Sequence, residues 1–423
     1  MTDRSLADLL ALPAVLFLSA VGSVIRYRHV RQIGLPSKAL DADGPRPLKV
    51  LFLTRDLPFH GGVARCVRYL VGACDPRRVE LYVASLIDPC ESMTAEFVEF
   101  GITPVVLGDV GCIGPSRRLA RFVREHGIDV VVATTFKTYL VAKLGMKRSG
   151  GRVVFWLHAI DGVVQGPVRR AMFHQLARRD PLMFVSRAVR EANIPPGHTG
   201  PEAVIHNGVE DVEETAGHEP YAREKLAEFG VPCNAIVLAY VAEFVEWKDH
   251  ATLIKAVEKL AEQGRDVHAL LIGRGRLMER MKKSSAALPH GGRIHFLGPR
   301  NDVRRLLGVT DIYVHCARAE GFGLSLVEAM LARRPVVAAA AGALVEYVIP
   351  GVNGELFKPG DAADLAEKIN QLMADEPRAR RLGEAAREYC LKEFGIDHFA
   401  DCACDFLEEV SNRRRAPGEV LSR

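Results

Sequence analysis

Apolar and polar positions alternate along this chain in two rhythms. From residue 49 onward, short runs rich in valine, isoleucine and leucine alternate with longer stretches whose apolar residues recur every three or four positions. Short apolar runs bounded by turn residues read as strands buried on both faces, and the longer stretches read as amphipathic helices. Repeated in turn, they predict βαβ units around parallel sheets. The first set of strands falls at residues 49–54, 81–85, 128–134, 153–158, 182–186 and 203–206. A second set follows at 236–242, 267–272, 293–297, 311–315 and 335–339.

Between 207 and 220 the chain turns polar and acidic and loses its period, as a linker does. The pattern restarts beyond it with a helix from about Asp249 that places Leu253, Ile254, Val257 and Leu260 on one face. The stretch from 361 is mostly helical, and its last apolar segment, 399–410, is suited to packing back across the linker. A chain of 423 residues exceeds what one core holds, since single cores stop growing near ~250 to 300 residues. The expected organisation is therefore an N-terminal segment (1–48), a doubly wound domain (49–208), a second one (209–395), and a C-terminal helix (396–423) crossing back to the first.

Composition changes this picture little. The chain is 48% hydrophobic and 26% charged, the balance of a globular protein. Its 56 basic and 52 acidic residues leave a net charge of +4, too weak a field to suggest a nucleic-acid partner. Nine cysteines lack the spacing of a zinc site or a disulfide framework, with Cys402 and Cys404 the closest pair, which fits reduced thiols in a cytoplasmic setting.

The N-terminus stands apart. Residues 9–25 carry no charge and are followed at once by Arg26, Arg28, His29 and Arg31. A spanning helix needs about 20 apolar residues, so this run, with Pro13 inside it, sits at the lower limit. Basic residues after the apolar run, not before it, are the reverse of a cleavable signal and favour the cytoplasmic side. Residues 9–31 are read as a peripheral or anchored contact with the cytoplasmic face of a membrane. An amphipathic helix packed on the protein itself is the alternative.

The chemistry concentrates in Glu320-Gly321-Phe322-Gly323-Leu324-Ser325-Leu326-Val327-Glu328, directly after the strand at 311–315. A strand, a glycine-containing loop and a helix start form a place where unpaired backbone N–H groups and the helix dipole hold a phosphate. Two carboxylates, one on the loop and one inside the helix, can accept hydrogen bonds from hydroxyls. A sugar nucleotide offers hydroxyls at both its ribose and its sugar.

This arrangement resembles the EX7E signature of retaining glycosyltransferases of the GT-B fold, in particular family 4. The resemblance extends to Phe296-Leu297-Gly298, Arg334-Pro335-Val336-Val337, Gly342 with Glu346, and Gly351-Val352-Asn353-Gly354. In the first half it includes His60-Gly61-Gly62 after the first strand, His158 ending another, Ser186, and His206-Asn207-Gly208-Val209. It covers roughly residues 49 to 395 and implies two Rossmann-like domains facing across a cleft, the first for the acceptor and the second for the donor. The donor is then a nucleoside diphosphate sugar, UDP- or GDP-linked, and the acceptor a hydroxyl of a glycan or a lipid-linked molecule. Configuration is retained, and neither metal nor cofactor is required.

Carried over by position, the resemblance implies that Glu328 takes the ribose hydroxyls and Glu320 the sugar ring. Gly321, Phe322, Gly323 and Leu324 present amides to sugar and phosphate, Lys248 balances the leaving diphosphate, and Gly61 and Gly62 face the phosphates. His158 lies near the transferred sugar or is a core histidine, and Glu346 either binds near the base or simply opens a helix.

Two departures bear on the phosphate grip. Glu243 stands where the family often has an arginine, and a carboxylate about 5 Å from a phosphate would repel it by about 3 kcal/mol at an effective dielectric near 20. Arg274, in Gly273-Arg274-Gly275, occupies a usually acidic position and is a candidate for the missing cation. A dinucleotide fingerprint fails at Met278, a P-loop is absent, and Asp41-Ala42-Asp43 lies before the first strand. The run Arg117, Arg118, Arg121 and Arg124 reads as a solvated helix face or a contact for anionic lipid. The rival from another class is a protein that keeps this fold without catalysis, as a sensor or scaffold.

Overall fold

The computed structural model describes residues 46–58, 61–147, 151–160, 166–211 and 221–413. The first domain runs β1 (Leu48–Thr54), α1 (Gly62–Ala73), β2 (Val79–Ser85), α2 (Glu91–Glu99), β3 (Val105–Val106), α3 (Ile113–His126) and β4 (Val130–Ala133). It continues with α4 (Phe136–Met146), β5 (Arg152–Leu157), α5 (Pro167–Ala177), β6 (Leu182–Phe184), α6 (Arg187–Asn193) and β7 (Glu202–Val204).

The second domain holds β8 (Ile236–Val241), α7 (His250–Glu262), β9 (Val267–Ile272), α8 (Met278–Ala286), β10 (Ile294–Gly298), α9 (Val303–Leu307) and β11 (Ile312–His315). After them come α10 (Leu324–Leu331), β12 (Val336–Ala339), α11 (Leu344–Tyr347), β13 (Glu355–Phe357), α12 (Ala362–Ala374), α13 (Glu376–Glu393) and α14 (Ile396–Asn412).

Among the described residues the strands form two parallel sheets, one of order β3-β2-β1-β4-β5-β6-β7 and one of order β10-β9-β8-β11-β12-β13. β1 pairs with β2 from Leu48 opposite Val79 to Thr54 opposite Ser85, and with β4 on its other side. β8 holds the equivalent central place between β9 and β11. Val50, Leu51, Phe52 and Leu53, and likewise Val237 to Tyr240, are buried, as covered parallel strands must be. Both windings reverse direction beside the central strand, between β1 and β4 and between β8 and β11. A crevice opens at that reversal beyond the carboxyl ends of the strands.

The two crevices face each other. A Cβ at Gly321 would lie 2.2 Å from the carbonyl oxygen of His158, and one at Gly342 would lie 2.7 Å from Cδ1 of Ile160. Only glycine lets the β11–α10 loop approach the end of β5 so closely. A Cβ at Gly62 would reach Cδ1 of Leu324 at 3.3 Å, so α1 and α10 begin against one another.

The chain passes between domains at 208–211 and again near 394. Val209 donates its N–H to the carbonyl of Phe394 at 2.9 Å, and Arg387 forks onto Asp211 at 2.8 and 2.7 Å. α14 then lies on α1 of the first domain, burying Phe399, Ala403, Phe406, Leu407 and Val410. Arg78 holds its outer face through Asp405 at 2.6 Å and Glu408 at 3.0 Å. No helix among the described residues is long and apolar enough to cross a membrane. The apolar run at 9–25, Asp41 to Asp43, and His60 lie outside the described residues.

Candidate functional site

The site is assembled at the reversal of the second sheet. β11 delivers His315, the following loop delivers Glu320, and Gly323 at φ 88° turns the chain into α10. That backbone angle suits glycine, and α10 starts without a side-chain cap. Its N-terminal end is therefore open toward the cleft. The loop is fixed from behind: Ala343 donates its N–H to the carbonyl of Glu320 at 2.9 Å, and the hydroxyl of Tyr347 donates to the carbonyl of Phe322. Phe322 is buried against Tyr347 and Phe394.

Lys248 ends a short 3-10 turn after β8 and reaches Glu320, its Nζ 2.5 Å from Oε2. The same oxygen accepts from Nε2 of His315 at 2.8 Å. Burial works against charge on Glu320, but Lys248 and then His315 outweigh it and hold the carboxyl well below the usual carboxylate range. Burial pushes His315 down in turn, with Glu320 pulling it up, so a neutral imidazole donating from Nε2 is the consistent tautomer. Its Nδ1 is buried without a hydrogen-bond partner. Glu320 is thus a desolvated, ionised acceptor whose ammonium partner lies at the sheet reversal.

Glu328, a turn and more inside α10, is 4% exposed and ion-paired across the cleft with Arg65 of α1. Arg65 also donates to the hydroxyl of Tyr69 at 3.0 Å. His158 sits against the Gly321 loop at the end of β5, its Nε2 buried and unpartnered, and burial lowers its pKa to about 3. It is a neutral base at ordinary pH.

The other expected positions divide. Gly61 and Gly62 open α1 opposite α10, as the GlyGly signal suggests. Glu346 is committed to the first domain: its carboxylate accepts from the backbone N–H groups of Arg187 at 3.0 Å and Ala188 at 2.7 Å, capping α6 beside Ser186. Glu243 and Arg274 are both exposed, without an ion pair among the described residues. The carbonyl of Arg274 accepts from the N–H of Phe244 at 2.9 Å. Among the described residues no His, Cys, Asp and Glu cluster has the geometry of a metal site.

Arg65 and His315 went unread in the sequence. The signals were slight: Arg65 lies one helical turn past the paired glycines, and His315 is the last residue of the strand before the loop. Arg117, Arg121 and Arg124 line the exposed side of α3, while Arg118 donates to the carbonyl of Leu107 at 2.5 Å.

Residues 222–389 match the family described as Glycosyl transferases group 1, and residues 60–213 match Glycosyltransferase Family 4. The lipopolysaccharide core biosynthesis glycosyltransferase LpsE of Rhizobium meliloti is 29% identical over 181 residues, 43% of this chain and 52% of that one. Alpha-maltose-1-phosphate synthase of Mycolicibacterium smegmatis is 30% identical over 223 residues, 49% of this chain and 57% of that one. The chain spans about half the length of the curated relatives it matches. The crystal structure of Anabaena HepE in complex with UDP superimposes with a TM-score of 0.73 at 25% identity, covering 86% of this chain and all of that one. The two family matches between them take in both sheets and the loops that meet in the cleft, and the chain belongs to the group 1 glycosyltransferases of the GT-B fold.

Proposed function

We propose that the protein moves a sugar from a nucleoside diphosphate sugar, UDP- or GDP-linked, to a hydroxyl of a glycan or lipid-linked acceptor, with retention of configuration. The observation that carries this reading is the Lys248–Glu320–His315 cluster standing beside the uncapped start of α10, with Glu328 farther along the same helix. An anion meets amides and a dipole there, and hydroxyls meet two buried carboxylates. The HepE structure holding UDP supports the nucleotide.

In this mechanism Glu328 orients the ribose and Glu320 the sugar ring, while Lys248 and the α10 amides stabilise charge that grows on the departing diphosphate. Preorganised electrostatics of this kind usually does most to lower the barrier of such a step. The acceptor hydroxyl attacks from the face the diphosphate leaves, and the departing phosphate takes its proton. Lys248 supplies the cationic charge, so the rate is expected to be unchanged in EDTA; a loss restored by magnesium or manganese would overturn that part of the mechanism.

The test is a calorimetric screen of the full chain against UDP-, GDP- and ADP-sugars, repeated with Glu328→Ala. Saturable binding of one donor, lost in the variant, is the expected result. No binding to any of them would favour a scaffold role. Proton NMR of the product formed from that donor then reads the anomeric configuration directly.

A further inference from the structure

A diphosphate calls for cationic partners in the cleft. Lys248 is engaged by Glu320, Arg274 is exposed, and Glu243 stands where a cation was expected. A guanidinium does stand at the meeting point of the domains, that of Arg65. It rises from the first turns of α1, whose start abuts the start of α10 through Gly62 and Leu324. Its side chain is 27% exposed, and its Nη2 lies on Oε1 of Glu328.

That oxygen is one the ribose reading also needs. A carboxylate oxygen facing an arginine across the cleft has fewer lone pairs left for a ribose diol. Separating a largely buried ion pair is strongly unfavourable unless both partners are satisfied elsewhere. A nucleoside diphosphate satisfies both: its ribose hydroxyls donate to Glu328, and its phosphate oxygens match the fork of a guanidinium.

We propose that Arg65 is a diphosphate-binding residue supplied by the first domain, its guanidinium exchanging Glu328 for the phosphates when the donor enters. The inference rests on the nucleotide-sugar reading above. The exchange makes the first domain sense the donor, since Arg65 meets the phosphates only while α1 and α10 stand together. Tyr69, whose hydroxyl accepts from the same nitrogen at 3.0 Å, keeps the guanidinium at the mouth of α1 beside Glu328.

The test uses the full chain and calorimetry with UDP, GDP and ADP, followed by the matching nucleoside of whichever binds. Arg65→Gln should weaken the diphosphate by roughly 10- to 100-fold while leaving the nucleoside unchanged or slightly tighter, because Glu328 is released to the ribose. Arg65→Lys should fall between, and should Arg65→Gln fail to fold, the ratio of diphosphate to nucleoside affinity in Arg65→Lys decides. An unchanged ratio in a folded variant overturns the proposal and leaves Arg65 as a latch. Failure of every diphosphate to bind the unaltered protein overturns the nucleotide-sugar reading itself, and this inference with it.

Discussion

Glu320 shows how one side chain serves two roles here. Its charge is kept in a nearly dry site by Lys248 and a neutral His315, so the group that would meet the sugar also pins the loop to the second sheet. Glu320→Gln preserves shape and removes charge, leaving the ammonium of Lys248 short of its partner. Removing one member of a buried pair costs about 3 kcal/mol or more. The expected outcome is a lower urea midpoint together with a turnover loss of roughly 100-fold or greater; a variant of unchanged stability and activity would remove Glu320 from both roles. Gly321→Ala tests the approach of the domains, because its methyl would overlap the carbonyl of His158. Its expected signature is a raised KM for donor with the second domain still folded. Glu320, Lys248 and the glycines were legible because their spacing in the chain is the signal. Arg65 was not, because its meaning comes from Glu328, on another domain and 263 positions away.

At the scale of elements, the strands were readable because a covered parallel strand must be largely apolar: β4 and β8 are so throughout, β1 departs only at Lys49 and Thr54, and β11 only at His315. The edges were not. β3 is two residues and β13 three, too short to set a hydrophobic run apart from its surroundings. The apolar segment 399–410 falls within α14, and the details of its docking come from packing. Phe399 lies over Trp156 with ring centroids 6.1 Å apart, and a Cβ at Gly208 would come within 2.8 Å of it. Phe399→Ala empties that junction and is expected to cost about 3 to 5 kcal/mol in urea unfolding. The same change should leave the nucleotide affinity of the folded protein nearly intact, since Phe399 lies on the sheet face that α14 covers; a selective loss of donor binding would instead place α14 in the cleft.

The whole molecule carries a pH dependence set by its histidines. Burial lowers His158 and His250 to about 3 and His295 to about 4, against an ordinary value near 6.5. The unfolded chain binds protons on these residues as pH falls through 6.5, while the folded chain does not until far lower. Stability is therefore complete above about pH 6.5 and declines as pH falls toward 4. Glu320, depressed in the fold, adds to the loss only below the ordinary carboxylate range. The urea midpoint is expected to drop clearly between pH 7 and pH 5, and His250→Phe, which replaces a ring stacked 4.1 Å from Phe244, should flatten that drop. A midpoint equal at both values would show that these histidines are solvated.

The outer surface of the first domain bears on where the protein works. α3 packs on α4, and Phe173 of α5 meets Phe136 and Tyr139 of α4 edge-on, so the three helices share one face of the sheet. α3 carries Arg117, Arg118, Arg121 and Arg124 against Glu125, and α5 carries Arg169 and Arg170 with no acidic residue. On α5 the exposed Val168, Met172 and Leu176 follow one another at four-residue intervals, 78%, 37% and 37% exposed. Apolar side chains flanked by arginines fit the interface of an anionic bilayer, where each basic residue near the surface contributes about 1 kcal/mol. The expected membrane contact has two candidate sources, this face and the apolar sequence at 9–25, and salt separates them. Flotation of the full chain with phosphatidylglycerol vesicles should fall as salt rises, and the combined change R121E, R124E, R169E and R170E should remove the salt-sensitive part while leaving donor affinity unchanged. Binding that resists both salt and these substitutions would assign attachment to the apolar run alone, and no flotation at all would leave a lipid-linked acceptor without physical support.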